Sequence, residues 1–360
     1  MMKKFLLLLS ILLFLELILC CEEDKAIPGL RTFKGKKSAF QSNSRNFKKQ
    51  DENVLCLHNN KTMQYLKSKL STQIIPAVYI ILVIIGIPSN MAVLWKCLST
   101  IRKFSTATLY VSLAISDLLF LVMLTFKIYY HLNINNWTLG EWMCKLVTAC
   151  FYGNTYCSIL NLMCISINRY VAIVHPFTYK SLKKKACVTC SCLLVWITFF
   201  AAMIPIFYMK QSYFIKQLEI STCHDVLPHD KGDLLKLLYF VLLPVGGFFI
   251  PLCVTTFCYI SLIRELSKSD EKWFQYVKTM TLVFIIFLIC FTPSNIILVS
   301  HYIQLYKTEN EDFYVFYNVA ACLCCIHSCL DPFLYYFMPK SSHSNVYRTL
   351  FKGATPSVTT

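Results

Sequence analysis

Seven apolar stretches of about twenty residues or more follow one another between Thr72 and Phe337. A helix needs about 20 such residues to cross a hydrocarbon core of about 30 Å. Within that core every backbone N–H and C=O must find its partner inside the segment, so runs of this length are spanning helices. The spans read approximately 72–95, 105–130, 142–174, 187–209, 233–264, 273–302 and 312–337. The fold class is therefore an all-α membrane protein, a seven-transmembrane helix bundle. An Asn168-Arg169-Tyr170 triplet closes the third span. An arginine at such an edge is costly to place and usually functional.

Charge fixes the expected orientation. The chain is 56% hydrophobic, and only 15% of its residues are charged against about 25% in a soluble domain. The net charge of +16 could suit nucleic acid, but the basic residues form no single patch. They gather at Arg102 and Lys103, at Lys180 and Lys183 to Lys185, at Arg264, Lys268 and Lys272, and at Lys340, Arg348 and Lys352. These groups follow spans one, three, five and seven, so they share one side of the membrane, and the positive-inside rule makes it the cytoplasm. The reading is a multi-pass plasma-membrane protein with an extracellular N-terminus, lipid as its surroundings and no nucleic-acid partner.

The segments outside the bundle divide accordingly. Residues 1–21 pair Lys3 and Lys4 with a short apolar run, the pattern of a signal peptide, with an uncleaved anchor as the alternative. Residues 22–71 form a polar, basic extracellular tail with no helical or strand period and are expected to be disordered. Within it Asn60-Lys61-Thr62 is a glycosylation sequon. In the longest outer loop, residues 212–215 and 219–223 are suited to a short hairpin. Residues 338–360 form a short cytoplasmic tail in which Val346, Leu350 and Phe351 suit the inner leaflet.

Most of the nineteen cysteines sit inside spans, where cysteine acts as a small hydrophobe. Cys322, Cys324, Cys325, His327 and Cys329 point around the whole seventh span and make no zinc spacing. No catalytic set and no inverted repeat is visible, which argues against an enzyme and against a transporter.

Several motifs resemble, in order, those of the rhodopsin-like G-protein-coupled receptors. Gly86-Ile87-Pro88-Ser89-Asn90 is similar to the first-helix motif, and Leu113-Ala114-Ile115-Ser116-Asp117 to the second-helix one. Trp137 to Gly140 and Cys144 match the first outer loop and the top of helix three, and Pro205, Pro251 and Pro293 the later prolines. Asp331-Pro332-Phe333-Leu334-Tyr335 resembles the seventh-helix motif with Asp in place of Asn. The resemblance covers residues 72–351 and implies coupling to a heterotrimeric G protein. In that reading Arg169 contacts the G protein, while Asn168 replaces the usual acid and weakens the resting restraint. Phe291 replaces the usual helix-six tryptophan as a packing switch. The resemblance also implies a Cys144–Cys223 disulfide, which leaves Cys56 over. It implies as well an allosteric sodium ion beside Asp117, lined by Asn154 and Ser158, with Asp331 as a second carboxylate. A protonated, hydrogen-bonded Asp pair is the alternative. Phe151 stands where amine receptors carry aspartate, and Cys325 where opsins carry the retinal lysine.

A narrower resemblance lies outside the membrane. Cys223-His224-Asp225-Val226-Leu227, Asp331 and Phe291 resemble the protease-activated receptors, which carry a ligand masked in their own tail. Leu30-Arg31-Thr32-Phe33-Lys34-Gly35 is similar to the cleavage site and tethered peptide of that family. Arg31 suits the acidic pocket of a trypsin-like serine protease, and cleavage turns the Thr32 amide into a cationic amine beside Phe33. The resemblance implies a ligand-contact loop of His224, Asp225, Val226 and Leu227. Asp225 is the acid best placed to meet Lys34, with capping of the loop's own backbone as the alternative. Thrombin is one candidate activator, yet residues 40–49 are basic and steer poorly to a basic exosite. Two other readings stand open. One is a non-signalling protease cofactor acting beside a neighbouring receptor, including as a heterodimer. The other is a same-fold receptor for a diffusible peptide or nucleotide.

Overall fold

The computed structural model describes residues 33–37, 54–57, 60–100, 107–228, 234–266, 274–308 and 314–336. The expected signal peptide, the Arg31–Thr32 bond, and the tail 338–360 with Val346, Leu350 and Phe351 lie outside the described residues.

The chain forms a helical bundle. A short α1 (Asn60–Lys67) and a π turn (Leu70–Ile74) lead into α2 (Ile75–Thr100), followed by α3 (Ala107–Leu132) and the long α4 (Gly140–Val174). After the short α5 (Pro176–Ser181) comes α6 (Lys184–Tyr208). The fifth span is α7 (Leu234–Pro244), a π turn (Val245–Phe249) and α8 (Ile250–Leu266). The sixth is α9 (Phe274–Thr308), and the seventh is α10 (Tyr314–Cys325) with α11 (His327–Tyr336). Neighbours pack as α2 on α3, α3 on α4, α4 on α6 and α8, α7 and α10 on α9, and α11 back on α2, which closes the ring. Among the described residues five helices are long and apolar enough to cross a membrane, and Phe287–Ser300 and Asn318–Phe333 are shorter apolar runs of the other two spans.

Burial follows from lipid as the solvent. On α6, Leu193, Leu194, Ile197 and Phe200 are exposed, while α4 buries Asn154, Ser158, Asn161 and Ser166. Polar groups face inward because a lipid-facing one has nothing to bond. At the π turn below Pro244, a Cβ on Gly247 would lie 2.5 Å from the Tyr156 ring, so glycine is what lets the fifth span reach α4.

Two expectations are corrected here. The seventh span is not one helix: it breaks at Ile326, and the carbonyl of Cys324 turns to accept from His327 Nδ1. The tail is not unstructured throughout. Phe33–Lys37 forms β1 and Val54–Leu57 forms β2, and both join the hairpin β3 (Ser212–Ile215) and β4 (Ile220–Cys223) and the strand β5 (Val226–Pro228). The order is β4-β3-β2-β1-β5, with β1 antiparallel to β2 and parallel to β5. Buried Leu55, Leu57, Tyr213, Ile215 and Val226 give the sheet an apolar core. Phe33–Lys37 (FKGKK) has little β propensity and Val54–Leu57 (VLCL) does not alternate in polarity, so neither declares a strand in sequence.

Candidate functional site

The sheet is a lid, and its fixings determine what lies beneath. A disulfide joins Cys144, in the first turns of α4, to Cys223 at the end of β4. The hairpin expected at 212–223 is present, with Ser212 opposite Cys223 and Ile215 opposite Ile220. Backbone N–H groups of Gln211 and Ser212 donate to the two carboxylate oxygens of Glu141, each at 2.8 Å. Ser221 receives Trp137 N–H at 2.7 Å and donates its own to Asn136 Oδ1 at 3.0 Å.

Beyond Cys223 the chain turns sharply. His224 has φ +67°, a left-handed conformation uncommon for a residue with a side chain. Its ring is clamped from both ends, Nδ1 at 2.6 Å from Gln211 Oε1 and Nε2 at 2.8 Å from the Tyr152 hydroxyl. The turn carries Asp225 inward, where the Tyr130 hydroxyl donates to its Oδ2 at 2.5 Å. Asp225 is 7% exposed and Tyr130 1%. Val226 and Leu227 then run along β1.

The tail is fastened to the same end. Asn135 Nδ2 donates to the Leu66 carbonyl at 2.7 Å and to Ser71 Oγ at 2.8 Å, while its Oδ1 accepts from His131 Nδ1 at 2.7 Å. Asn318 donates to the Tyr65 hydroxyl at 2.6 Å. Burial, and then the charge of Asp225, push the ionisation of Tyr65 well above the usual phenol range. Asn60, the sequon residue, opens α1.

Under the lid is a cavity whose lining includes Tyr79, Lys127, His131, Phe151, Tyr152 and Asp225. It offers aromatic walls, one cation and one carboxylate. Lys127 Nζ lies 5.1 Å from the Phe151 ring centre. Phe151 therefore stands on the cavity wall, as expected of the position where amine receptors carry their aspartate.

The strand that carries Phe33, Lys34 and Gly35 borders this lid directly. Phe33 stands opposite Val226, Lys34 opposite Leu227 and Gly35 opposite Pro228. This register is that of the uncleaved chain. Asp225 does not stand opposite Lys34; it is turned down to Tyr130, and the register places Leu227 beside Lys34. Cys56, in β2, is a free thiol opposite Lys36.

Deeper in the bundle lie the two carboxylates. Asp117 is fully buried, and its Oδ1 faces Asn154 Nδ2 at 3.4 Å and the Ser158 hydroxyl at 3.5 Å. Asp331 is 6% exposed, and the outer oxygens Asp117 Oδ2 and Asp331 Oδ2 have no hydrogen-bond partner among the described residues. Asp117, His327 and Asp331 bring ligand atoms within 4.8 Å of one another. His327 was not singled out as a partner of these acids from sequence. The signal was its place one helical turn before Asp331. Once ionised, an oxygen-rich and under-bonded group of this kind fits a cation.

Phe291 is fully buried, its ring 4.7 Å from His327 and 4.9 Å from Phe287. At the far end of the bundle Arg169 is buried and its Nη2 donates to the Tyr110 hydroxyl. Tyr110 packs against Tyr335 at 5.7 Å. Neighbouring Asn168 is half-buried, and Tyr170 bonds His175 Nε2 at 3.0 Å.

Comparison with known proteins decides the family. Residues 89–335 match the 7 transmembrane receptor (rhodopsin family). The chain is 47% identical over 302 residues to Proteinase-activated receptor 3 of Homo sapiens, covering 83% of this chain and 81% of that one. It is 48% identical over 296 residues to the same receptor of Bos taurus, covering 82% and 78%. The chain belongs to the proteinase-activated receptors of the rhodopsin family. Proteinase-activated receptor 2 of Mus musculus is also similar, at 39% over 294 residues, covering 79% of this chain and 73% of that one. As a member of this family the receptor is a multi-pass membrane protein.

Proposed function

We propose that a trypsin-like serine proteinase activates this receptor by cutting after Arg31, so that Thr32-Phe33-Lys34-Gly35 becomes a ligand tethered to its own lid. The observation that carries this reading is the pairing of Phe33–Lys37 with Val226–Pro228, directly after the disulfide. The peptide is therefore already beside the loop it must act on. Its effective concentration, on the order of millimolar for a short tether, lets modest contacts suffice. Cleavage adds a cationic amine at Thr32, and Asp225 is the carboxylate on the cavity wall that can receive it.

The lid end faces the outside of the plasma membrane, and the Arg169 end meets a heterotrimeric G protein in the cytoplasm. Residues 1–21 direct secretion and are removed, and Asn60 carries a glycan. The chain has no enzymatic activity of its own. Thrombin is a candidate activator on the family reading, but the basic stretch at 40–49 favours a proteinase that needs no exosite. A cation, sodium on the family reading, would be held by Asp117 and Asp331 with Asn154 and Ser158 beside it. It would supply the positive charge that two buried carboxylates need.

A second reading has its own observation. Asn168 brings no charge to Arg169, so coupling to G protein can be weak enough that the chain serves as a proteinase cofactor for a partner receptor, as a heterodimer. The experiment is calcium release after trypsin in cells holding only this receptor, with Arg31→Ala at equal surface expression. A parent response that the variant lacks supports direct signalling. Cleavage at Arg31 without calcium release supports the cofactor role, and an unchanged response in Arg31→Ala refutes the cleavage site.

A further inference from the structure

The geometry points to a divalent transition metal of the zinc class as the cation bound between Asp117 and Asp331, with His327 Nε2 as its nitrogen ligand. The inference rests on the reading of these two carboxylates as a cation site and concerns which cation they take.

Three observations select the ion. The first is the donor set. An imidazole nitrogen is a good ligand for zinc, cobalt, nickel or copper and a poor one for sodium or magnesium, which prefer oxygen. His327 Nε2 lies 3.8 Å from Asp117 Oδ1, and the ring is 3% exposed. The second is tautomer control. The break at Ile326 turns the Cys324 carbonyl onto Nδ1, which must then carry the proton, so Nε2 presents its lone pair toward the acids. Zinc-binding histidines are oriented by such a carbonyl contact on the far nitrogen. The third is charge. When both carboxylates are ionised, a divalent ion balances them, whereas a monovalent ion leaves a net charge deep in the bundle.

The remaining geometry is compatible. Zinc with N and O ligands at about 2.0–2.2 Å places those atoms roughly 3.3–3.5 Å apart. The three present groups lie within 4.8 Å, so the site need close by only about 1 Å. Asp117 Oδ1 is the oxygen 3.8 Å from His327 Nε2, and Asp117 Oδ2 and Asp331 Oδ2 hold no hydrogen bond that metal binding would have to break. Asn154 now directs its Nδ2 at His327 Nε2, at 3.2 Å, while its Oδ1 takes the Ser116 hydroxyl at 2.5 Å. Turning that amide over clears the lone pair and brings Oδ1 round as a fourth ligand, with Ser116 then accepting from Nδ2. The His327 ring lies between Phe120, at 6.5 Å, and Phe291, at 4.7 Å. Metal binding would therefore hold the helix-six ring in its resting position. The cysteines of the same span take no part, because the group gathers one histidine and two acids.

The test uses purified full-length receptor in detergent, titrated separately with zinc and with sodium, with thermal unfolding and bound metal as readouts. The parent should be stabilised by zinc at micromolar concentration with one equivalent retained. His327→Asn should shift the zinc midpoint at least tenfold upward while keeping its response to sodium. X-ray absorption at the zinc edge of the parent should show nitrogen and oxygen neighbours only. Zinc stabilisation unchanged in His327→Asn, or sulfur in the first shell of the parent, overturns the inference and leaves the cation site standing. A parent that responds to neither ion removes both. Because the absorption measurement needs no variant, it decides the matter even if His327→Asn fails to fold.

Discussion

The hydroxyl of Tyr130 holds the acid of the lid, and Tyr130→Phe removes that one atom while keeping the ring. The bond runs at 2.5 Å between groups that are 1% and 7% exposed, so water cannot readily replace it. A hydrogen bond to a charged group contributes about 1.5–3 kcal/mol, and 1.4 kcal/mol is a factor of about ten. If Asp225 loses its inward anchor, the fraction of receptors whose lid can accept the peptide falls, and apparent affinity falls with it. The soluble amide Thr-Phe-Lys-Gly should then need at least about tenfold more peptide for half-maximal calcium release. Thermal unfolding of the purified receptor gives the second measure. In a cycle of Tyr130→Phe, Asp225→Ala and the double variant, the coupling should be about 1.5–3 kcal/mol, since either change alone breaks the bond. Additive effects, with no coupling above about 0.5 kcal/mol, would show that the two side chains do not hold each other.

Other perturbations reach separate parts of the account. Cys144→Ala and Cys223→Ala should each abolish the response, since the disulfide spans a separation of 79 residues and such a closure is worth about 4–5 kcal/mol; a normal concentration–response curve refutes this. Tyr110→Phe should raise basal signalling several-fold, because Arg169 loses a bonded partner and Asn168 supplies no charge in its place; unchanged basal inositol phosphate counts against it. Gly247→Ala should lower thermal stability by about 1–3 kcal/mol through the collision with Tyr156, and Tyr156→Leu should restore most of it; a stable Gly247→Ala shows that the two spans can part.

The sequence made the bundle legible because each span is long, apolar and separated by charged turns. The hairpin at 212–223 was legible from its two short β-prone runs, and the disulfide and the neighbourhood of Asp117, Asn154 and Ser158 for a different reason, the family motifs. What escaped was the short strands of the tail and the bent backbone. Val54-Leu55-Cys56-Leu57 is apolar throughout and has no alternation to declare a strand, and its Leu55 and Leu57 are buried in the core cluster that Tyr213 and Ile215 of the hairpin also join. The inward turn of Asp225 depends on a left-handed His224, a conformation that residue type does not announce. The break at Ile326 likewise has no proline or glycine to mark it. For that reason His327 read as one of several residues around a helix rather than as a neighbour of Asp117.

The central claim is that exposing Thr32 as an N-terminus is sufficient to switch the receptor on. It is tested by replacing residues 27–31 with an enteropeptidase recognition sequence, so that a proteinase unrelated to the natural activator still leaves Thr32 first. An epitope upstream of the cut reports cleavage, and calcium reports signalling in cells without other proteinase-activated receptors. The account predicts calcium release within about a minute of epitope loss, absent when Thr32 and Phe33 are deleted. Complete loss of the epitope with no calcium release, at normal surface expression, would contradict it.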